Sequence, residues 1–170
     1  MANHDMSRTG GGGNAVFSGS GGIGKDHDYH DALGKTLLFF DAQRAGKLPT
    51  DFIINWRQSA TLQDSVDDAD LTGGFFDAAG TMKYTFPLAH SITLLAWSVI
   101  EFQESYGNHL DHVKDIIKHG IDWLMEANPS NAQNKIYAVV GNQTYEDTFW
   151  GRAADMKVSS KSSFVSVMDN

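Results

Sequence analysis

The chain has 170 residues, 41% of them hydrophobic and 20% charged, which is enough for one ordinary domain and hardly for two. Its 13 Lys+Arg against 21 Asp+Glu give a formal charge of −8, the wrong sign for a nucleic acid or an anionic membrane surface as partner. It contains no cysteine, which excludes disulfides, thiolate metal sites and a cysteine nucleophile.

Residues 1–27 are a composition outlier. Gly10 to Gly13 are consecutive, and Gly19-Ser20-Gly21-Gly22-Ile23-Gly24 follows almost at once. Glycine loses more conformational freedom on folding than any other residue, and there is little apolar area here to offset the loss, so a flexible leader is expected. The spacing Gly19-x4-Gly24-Lys25 is that of a phosphate-cradling loop, but Asp26 follows where a hydroxyl should meet magnesium. It is read as a Gly/Ser linker that meets the pattern by chance. Between Met1 and Gly24 the longest apolar run is Ala15-Val16-Phe17, too short for a signal peptide.

Three segments then show helical periodicity. From Tyr29 to Ala45, Leu33, Leu37, Phe40 and Arg44 lie at spacings of three and four, and the segment stops at Gly46 with Pro49 beyond. The second runs from about Pro87 to Ser105 and is apolar nearly all round, which predicts burial on more than one side. Its apolar stretch Leu88 to Phe102 reads as too short to span a bilayer. The third, Leu110 to Ala127, carries Val113, Ile116, Ile117, Ile121, Leu124 and Met125 along one stripe and closes at Asn128-Pro129. Between the first two lies a long polar, Gly-rich stretch, Leu48 to Phe86, read as an irregular loop. One strand-like run, Ile136 to Val140, ends at Gly141, and a polar, Ser-rich tail begins at Lys157. The expected class is all-α, with the globular part at 28–156.

Two clusters of polar residues invite a chemical reading. His109, His112 and His119 fit no common zinc spacing and are expected at the surface. Asp64, Asp67, Asp68, Asp70 and Asp77 crowd the long loop, where a solvated polar stretch or carboxylates beside a polysaccharide or calcium ion are both open readings. Asp77 stands apart because of its setting, Gly73-Gly74-Phe75-Phe76-Asp77-Ala78-Ala79-Gly80. Aromatics and small residues around a carboxylate allow partial desolvation and close approach of a ligand.

The motifs Tyr29-His30-Asp31-Ala32-Leu33, Phe40-x-Ala42-Gln43-Arg44-x-Gly46-Lys47-Leu48-Pro49, Asn55-Trp56-Arg57, Asp70 to Ala78, Met82-Lys83-Tyr84-x-Phe86-Pro87 and Leu95 to Glu101 stand in order. Together they resemble the N-terminal portion of a family-nine glycoside hydrolase, the endo-β-1,4-glucanases often called cellulases. The resemblance covers about three quarters of the chain. It implies part of an (α/α)6 barrel, about the first third of the family's catalytic domain. It also implies hydrolysis of cellulose-type glucans with inversion, in which one carboxylic acid protonates the leaving oxygen and an opposed carboxylate activates water. No cofactor or metal is implied; calcium occurs in some relatives, but nothing in this sequence specifies a site. The family usually acts outside the cell or at its surface, and Asn142-Gln143-Thr144 would be a glycosylation acceptor in an exported chain.

The family's base region reads Asp-Ala-Gly-Asp, with the second aspartate as general base and the first assisting with the water. Asp77 holds the first position, Ala79 stands for glycine, and Gly80 stands where the base should be. A second family segment, Asp-His-x-Cys-Trp-x-Arg-Pro-Glu-Asp, corresponds to Glu146-Asp147-Thr148-Phe149-Trp150-Gly151-Arg152-Ala153-Ala154-Asp155. Trp150, Arg152 and Asp155 are kept, and the sugar-contacting histidine has become Asp147. The acid, a glutamate far downstream in the family, has no counterpart before Asn170. The expectation is therefore a truncated chain with little or no hydrolytic activity. Residual glucan contact would fall to Trp150, Arg152 and Tyr84, with Phe75 and Phe76 as stacking surfaces or ordinary core. Apolar helix faces left without partners would favour self-association. A weak glucan-binding module or a non-functional partial gene product are the alternatives.

Overall fold

The structure, a computed structural model, describes residues 27–66, 69–77, 80–129 and 136–156. The expected leader with its Gly19–Lys25 pattern, the Ser-rich tail, and Asp67, Asp68, Ala78 and Ala79 lie outside the described residues, apart from His27 at the leader's end.

Helix α1 (Tyr29–Ala42) begins where the Asp28 carboxylate accepts the Asp31 amide hydrogen at 2.9 Å, one of the N–H groups that a helix start leaves unpaired. It ends three residues before the expected Ala45, because Arg44 and Gly46 leave the helix to form isolated β-bridges with Phe75 and Ala60. Gly46 has φ +82°, and a side chain there would meet the Gly73 amide nitrogen at 2.5 Å. The stretch expected to be irregular holds strands β1 (Ser65–Val66) and β2 (Ala69–Asp70), paired with each other. Strand β3 (Lys83–Tyr84) pairs across the chain with β4 (Val139–Val140), with Lys83 opposite Val140. The expected strand Ile136–Val140 is thus regular only over its last two residues.

Helix α2 (Thr85–Phe102) starts two residues before Pro87, tied down by the Thr85 amide donating to the Ala138 carbonyl at 3.0 Å. A 3₁₀ segment, Gln103–His109, turns the chain through Gly107, whose φ is +52°, into α3 (Leu110–Glu126). A one-turn helix α4 (Gln143–Glu146) and a 3₁₀ turn (Ala153–Asp155) complete the described chain, which is mostly helical.

The main core lies between α1, α2 and α3 and takes in Leu37, Leu71, Phe75, Leu88, Ile92, Val113, Ile116 and Trp123. Each such aliphatic or aromatic side chain contributes roughly 1.5–3 kcal/mol by leaving water. The α3 stripe is rotated from the one expected: Ile121 and Met125 are exposed, while Gly120 and Trp123 face inward. The cause is Gly120, whose missing side chain lets α2 come close; a Cβ there would stand 2.5 Å from Ile92 Cδ1.

Helix α2 departs most from expectation. Only Leu88 and Ile92 on it are buried, whereas Phe86, Leu94, Trp97, Ile100 and Phe102 are exposed. Its apolar run is also longer than read: an 18-residue window of mean hydropathy 1.2 in the helical stretch 85–126 meets the length and composition of a membrane span.

Lys83 is fully buried, and its ammonium meets three acceptors: the Asp64 carboxylate at 2.8 Å, the Gly73 carbonyl at 3.1 Å and the Leu71 carbonyl. Burial pushes its pKa below the ordinary value and the charge of Asp64 opposes that. Asp64 is therefore not a solvated loop residue but is 5% exposed and ion-paired, because the loop folds back over the lysine. The Trp123 indole N–H donates to Leu71 O at 3.0 Å, and its ring lies 5.4 Å from Lys83 Nζ. Gly74, at φ +72°, packs on the same ring; a Cβ there would sit 2.7 Å from Trp123 Cγ. Alanine at 74 would meet both a disfavoured backbone and a rigid indole. Gly74→Ala is expected to lower unfolding free energy by about 2 kcal/mol or more, read from denaturant titration.

None of the three histidines is a free surface group. His109 packs against Gly34 and edge-on to His30, with ring centroids 4.4 Å apart. His112 Nε2 is 2.5 Å from the buried Asp41 carboxylate. His119 Nε2 lies 2.9 Å from Gly74 O, with its ring edge-on to Phe75 at 5.0 Å. Burial, then the charge of Arg44, holds the His119 pKa below 6.5. Below pH 6.5 the unfolded state therefore binds a proton that the folded state refuses, so stability falls as pH drops until the folded-state pKa is passed. Denaturant titrations at about pH 7.5 and about pH 5 should show this loss, and His119→Gln, which keeps a donor for Gly74 O, should reduce it.

Candidate functional site

Asp77 is positioned by the end of α1. The Ala45 amide donates to Gly74 O at 2.9 Å and the Phe76 amide to Gln43 O at 2.8 Å, so residues 74–76 run as a short strand beside residues 43–45. That end of α1 is fixed by charge. The buried Arg44 donates from Nε to Asp41 at 2.9 Å and from Nη2 to Asp115 on α3 at 2.6 Å, and Asp41 also meets His112. Arg57 donates to the Arg44 carbonyl, and its guanidinium carbon lies 5.7 Å from the Phe76 ring centroid. Its pKa is lowered by burial, and its Nε is a buried donor with no partner among the described residues. Arginine, aromatic and helix end together hold residues 74–77 in one position.

Phe75 and Phe76 are buried, so they belong to the core and not to an open stacking surface. Asp77 itself is exposed. It stands at a cleft of 180 Å³ whose described lining includes Phe39, Gln43, Phe76, Tyr84, Pro87 and Ser91. Of the residues expected to contact sugar, the structure thus brings Tyr84 to Asp77. Trp150 and Arg152 are not in that lining. Trp150 is wholly exposed, and Arg152 makes a two-pronged ion pair with Asp155 at 2.8 and 3.0 Å.

The loop after Asp77 closes on itself. The Asp77 amide donates to Met82 O at 2.9 Å, and the Gly80 amide faces Asp77 O at 3.4 Å. Beyond the loop, Lys83 and Tyr84 enter β3, whose pairing with β4 brings residues 141–147 against it. Gly141, at φ +142°, lies so close to Met82 that a Cβ would sit 2.7 Å from its Cγ. Asn142 then accepts the Tyr145 amide at 3.0 Å and starts α4, at the end of which stands Glu146. The Glu146 carboxylate accepts the Thr81 amide hydrogen at 2.7 Å and the Thr81 hydroxyl. A Cβ built on Gly80 would lie 2.6 Å from Glu146 Oε1. The sequence singles out Gly80 and Asp147 and not Glu146. The available signal was that glutamate stands at 146 where the family motif has aspartate.

Within the acidic cluster, Asp70 accepts the Thr72 amide at 2.9 Å, which holds its pKa below the ordinary value. It caps a turn, and Asp64 belongs to Lys83. Among the described residues no three His, Asp or Glu side chains converge as a metal site.

Comparison with known proteins gives the family of the chain. The family model described as "Glycosyl hydrolase family 9" matches residues 29–169, running past Met156, where the motif series ends. Endoglucanase 3 of rice, Oryza sativa subsp. japonica, is 43% identical over 131 residues, 76% of this chain and 26% of the rice protein. Among solved structures, the endoglucanase of the termite Nasutitermes takasagoensis superposes with a TM-score of 0.74 at 39% identity, covering 79% of this chain and 31% of the termite chain. The cellulase Cel9M of C. cellulolyticum, solved in complex with cellobiose, does so with a TM-score of 0.72 at 28% identity over 78% of this chain and 31% of its own. The chain spans about a quarter of the length of the curated relatives it matches. The ordered motifs, the helical frame that presents Asp77 and the match over residues 29–169 lead to one conclusion, that the chain belongs to glycosyl hydrolase family 9.

Proposed function

We propose that these 170 residues form part of the catalytic domain of an endo-β-1,4-glucanase, with a β-1,4-glucan as ligand of the cleft at Asp77 and with hydrolysis near background. The observation that carries the reading is the placement of Asp77. An exposed carboxylate follows an extended run held by main-chain bonds and lines a cleft partly made of aromatics, in the motif Gly74-Phe75-Phe76-Asp77. The complex of the similar Cel9M with cellobiose supports a glucan as the ligand. Tyr84 offers a ring to the apolar C–H face of a sugar, and Trp150 offers a second, away from the cleft.

The proposed low turnover follows from chemistry. Inversion needs an acid and a base on opposite faces of the scissile bond. Position 80 is hydrogen, so the place that supplies the base in the family's motif carries no carboxylate. A carboxylate in that role is worth about 10²–10⁴-fold of rate.

The same reading makes α1, α2 and α3 helices of an (α/α)6 barrel. The exposed Phe86, Trp97, Ile100 and Phe102 on α2 then belong to a surface that further helices cover. Left bare, that surface favours association between copies.

Purified chain is expected to release no reducing sugar from carboxymethylcellulose above the buffer blank and to be retained on insoluble cellulose. Release that disappears in Asp77→Ala overturns the low-turnover reading, and absence of retention overturns the ligand.

A further inference from the structure

We propose that the proton-accepting carboxylate of this site has moved from residue 80 to residue 146, so that Glu146 takes the proton from the water that attacks the anomeric carbon. The proposal rests on the glucanase reading above and names the group that would do its base chemistry.

The geometry carries it. Where the Cβ of a residue at 80 would bond to its own carboxyl group, an oxygen of the Glu146 carboxylate already stands, 2.6 Å away. Two substitutions thus fit each other. The family motifs have aspartate at both positions; here the residue at 80 has lost its side chain and the one at 146 has gained a methylene. The longer arm fills the space that the glycine opened. An aspartate restored at 80 would collide with it, so the two carboxylates cannot share the seat.

Glu146 is held for the task. Thr81 donates its backbone N–H to Oε1 at 2.7 Å and its hydroxyl to Oε2, which fixes the plane of the carboxylate relative to the loop of Asp77. An ionised carboxylate has about four acceptor positions, so two remain after these bonds. The side chain is half-buried and stands outside the described lining of the cleft, joined to it through the loop that Asp77 begins. Asp77 heads the same loop through its amide bond to Met82 O and keeps its role of assisting the water.

The step balances as follows. Water oxygen forms a bond to the anomeric carbon from the α face while the β C–O bond breaks. The leaving group departs with that electron pair, and the proton of the water passes to Glu146, giving the α-configured hemiacetal. A leaving group that needs no proton removes the requirement for an acid. The test therefore uses 2,4-dinitrophenyl β-cellobioside with the 170-residue chain.

The unchanged chain should release dinitrophenolate faster than buffer, and Glu146→Gln should cut that excess by about 10²-fold or more with an unchanged melting temperature. Glutamine still accepts the Thr81 N–H, so a residue that only clamped the loop would leave the rate unmoved. Glu146→Ala should regain release with added azide, yielding α-cellobiosyl azide, and Gly80→Asp/Glu146→Ala, which returns the carboxylate to 80, should regain it without azide. Release from the unchanged chain at the buffer rate, or equal release by Glu146→Gln, overturns the assignment. Calorimetry with cellotetraose on the same samples separates the two readings. Binding without Glu146-dependent release sinks the assignment alone, whereas absence of binding sinks the glucanase reading as well.

Discussion

The buried charge of Lys83 is the constraint on which the rest of the structure depends. An ammonium has three hydrogens to donate, and here each has an acceptor: Asp64, Leu71 O and Gly73 O. Leu71 O has two lone pairs, and the second takes the Trp123 indole N–H. The set is complete, which is the condition under which a charge can be kept out of water without a penalty of several kcal/mol. Completeness also has a geometric meaning. The acceptors come from the long loop, the donors from β3 and α3, and none can shift without orphaning another. The lysine thereby converts a Gly-rich stretch of polar residues into a fixed wall behind the site.

A second charged group ties the end of α1 to α3. Asp41 is shared between Arg44 and His112, and Arg44 reaches across to Asp115, so the end of α1 is bound to α3 by charge as well as by packing. Between these two anchors runs the strand Gly74–Phe76. Its glycines are needed where they stand, since Gly74 lies flat on Trp123 and Gly46 presses on the Gly73 amide. The position of Asp77 follows from both sides of this frame and owes little to its own neighbours in sequence.

The sequence announces the parts of this fold that rest on local rules. The spacing of Leu33, Leu37 and Phe40 places α1 to within a few residues, and Asn128-Pro129 marks the end of α3. The ordered motifs single out Asp77 and Tyr84, and both line one cleft. What the sequence does not announce depends on partners far along the chain. Asp64 reads as a solvated acid because nothing near it shows that Lys83 will close over it. The histidines read as surface groups because their partners, Asp41 and Gly74, are on other elements. The α3 stripe is displaced because Gly120, which carries no hydrophobicity, decides which face meets α2. The all-apolar α2 suggests burial on several sides, yet burial needs neighbours, and the described residues supply them on one side only. Glu146 is the same case at the site: its partner Thr81 is 65 residues away, and only the β3–β4 pairing brings them together.

The loop at Asp77 is closed at its neck by one main-chain bond, from the Asp77 amide to Met82 O. A bond between backbone atoms is indifferent to the side chains at the tip. The neck is thus held by the main chain, between shoulders that the Lys83 and Arg44 groups keep in place. The architecture is in this way carried across the loop by the main chain alone, whichever side chain stands at position 80.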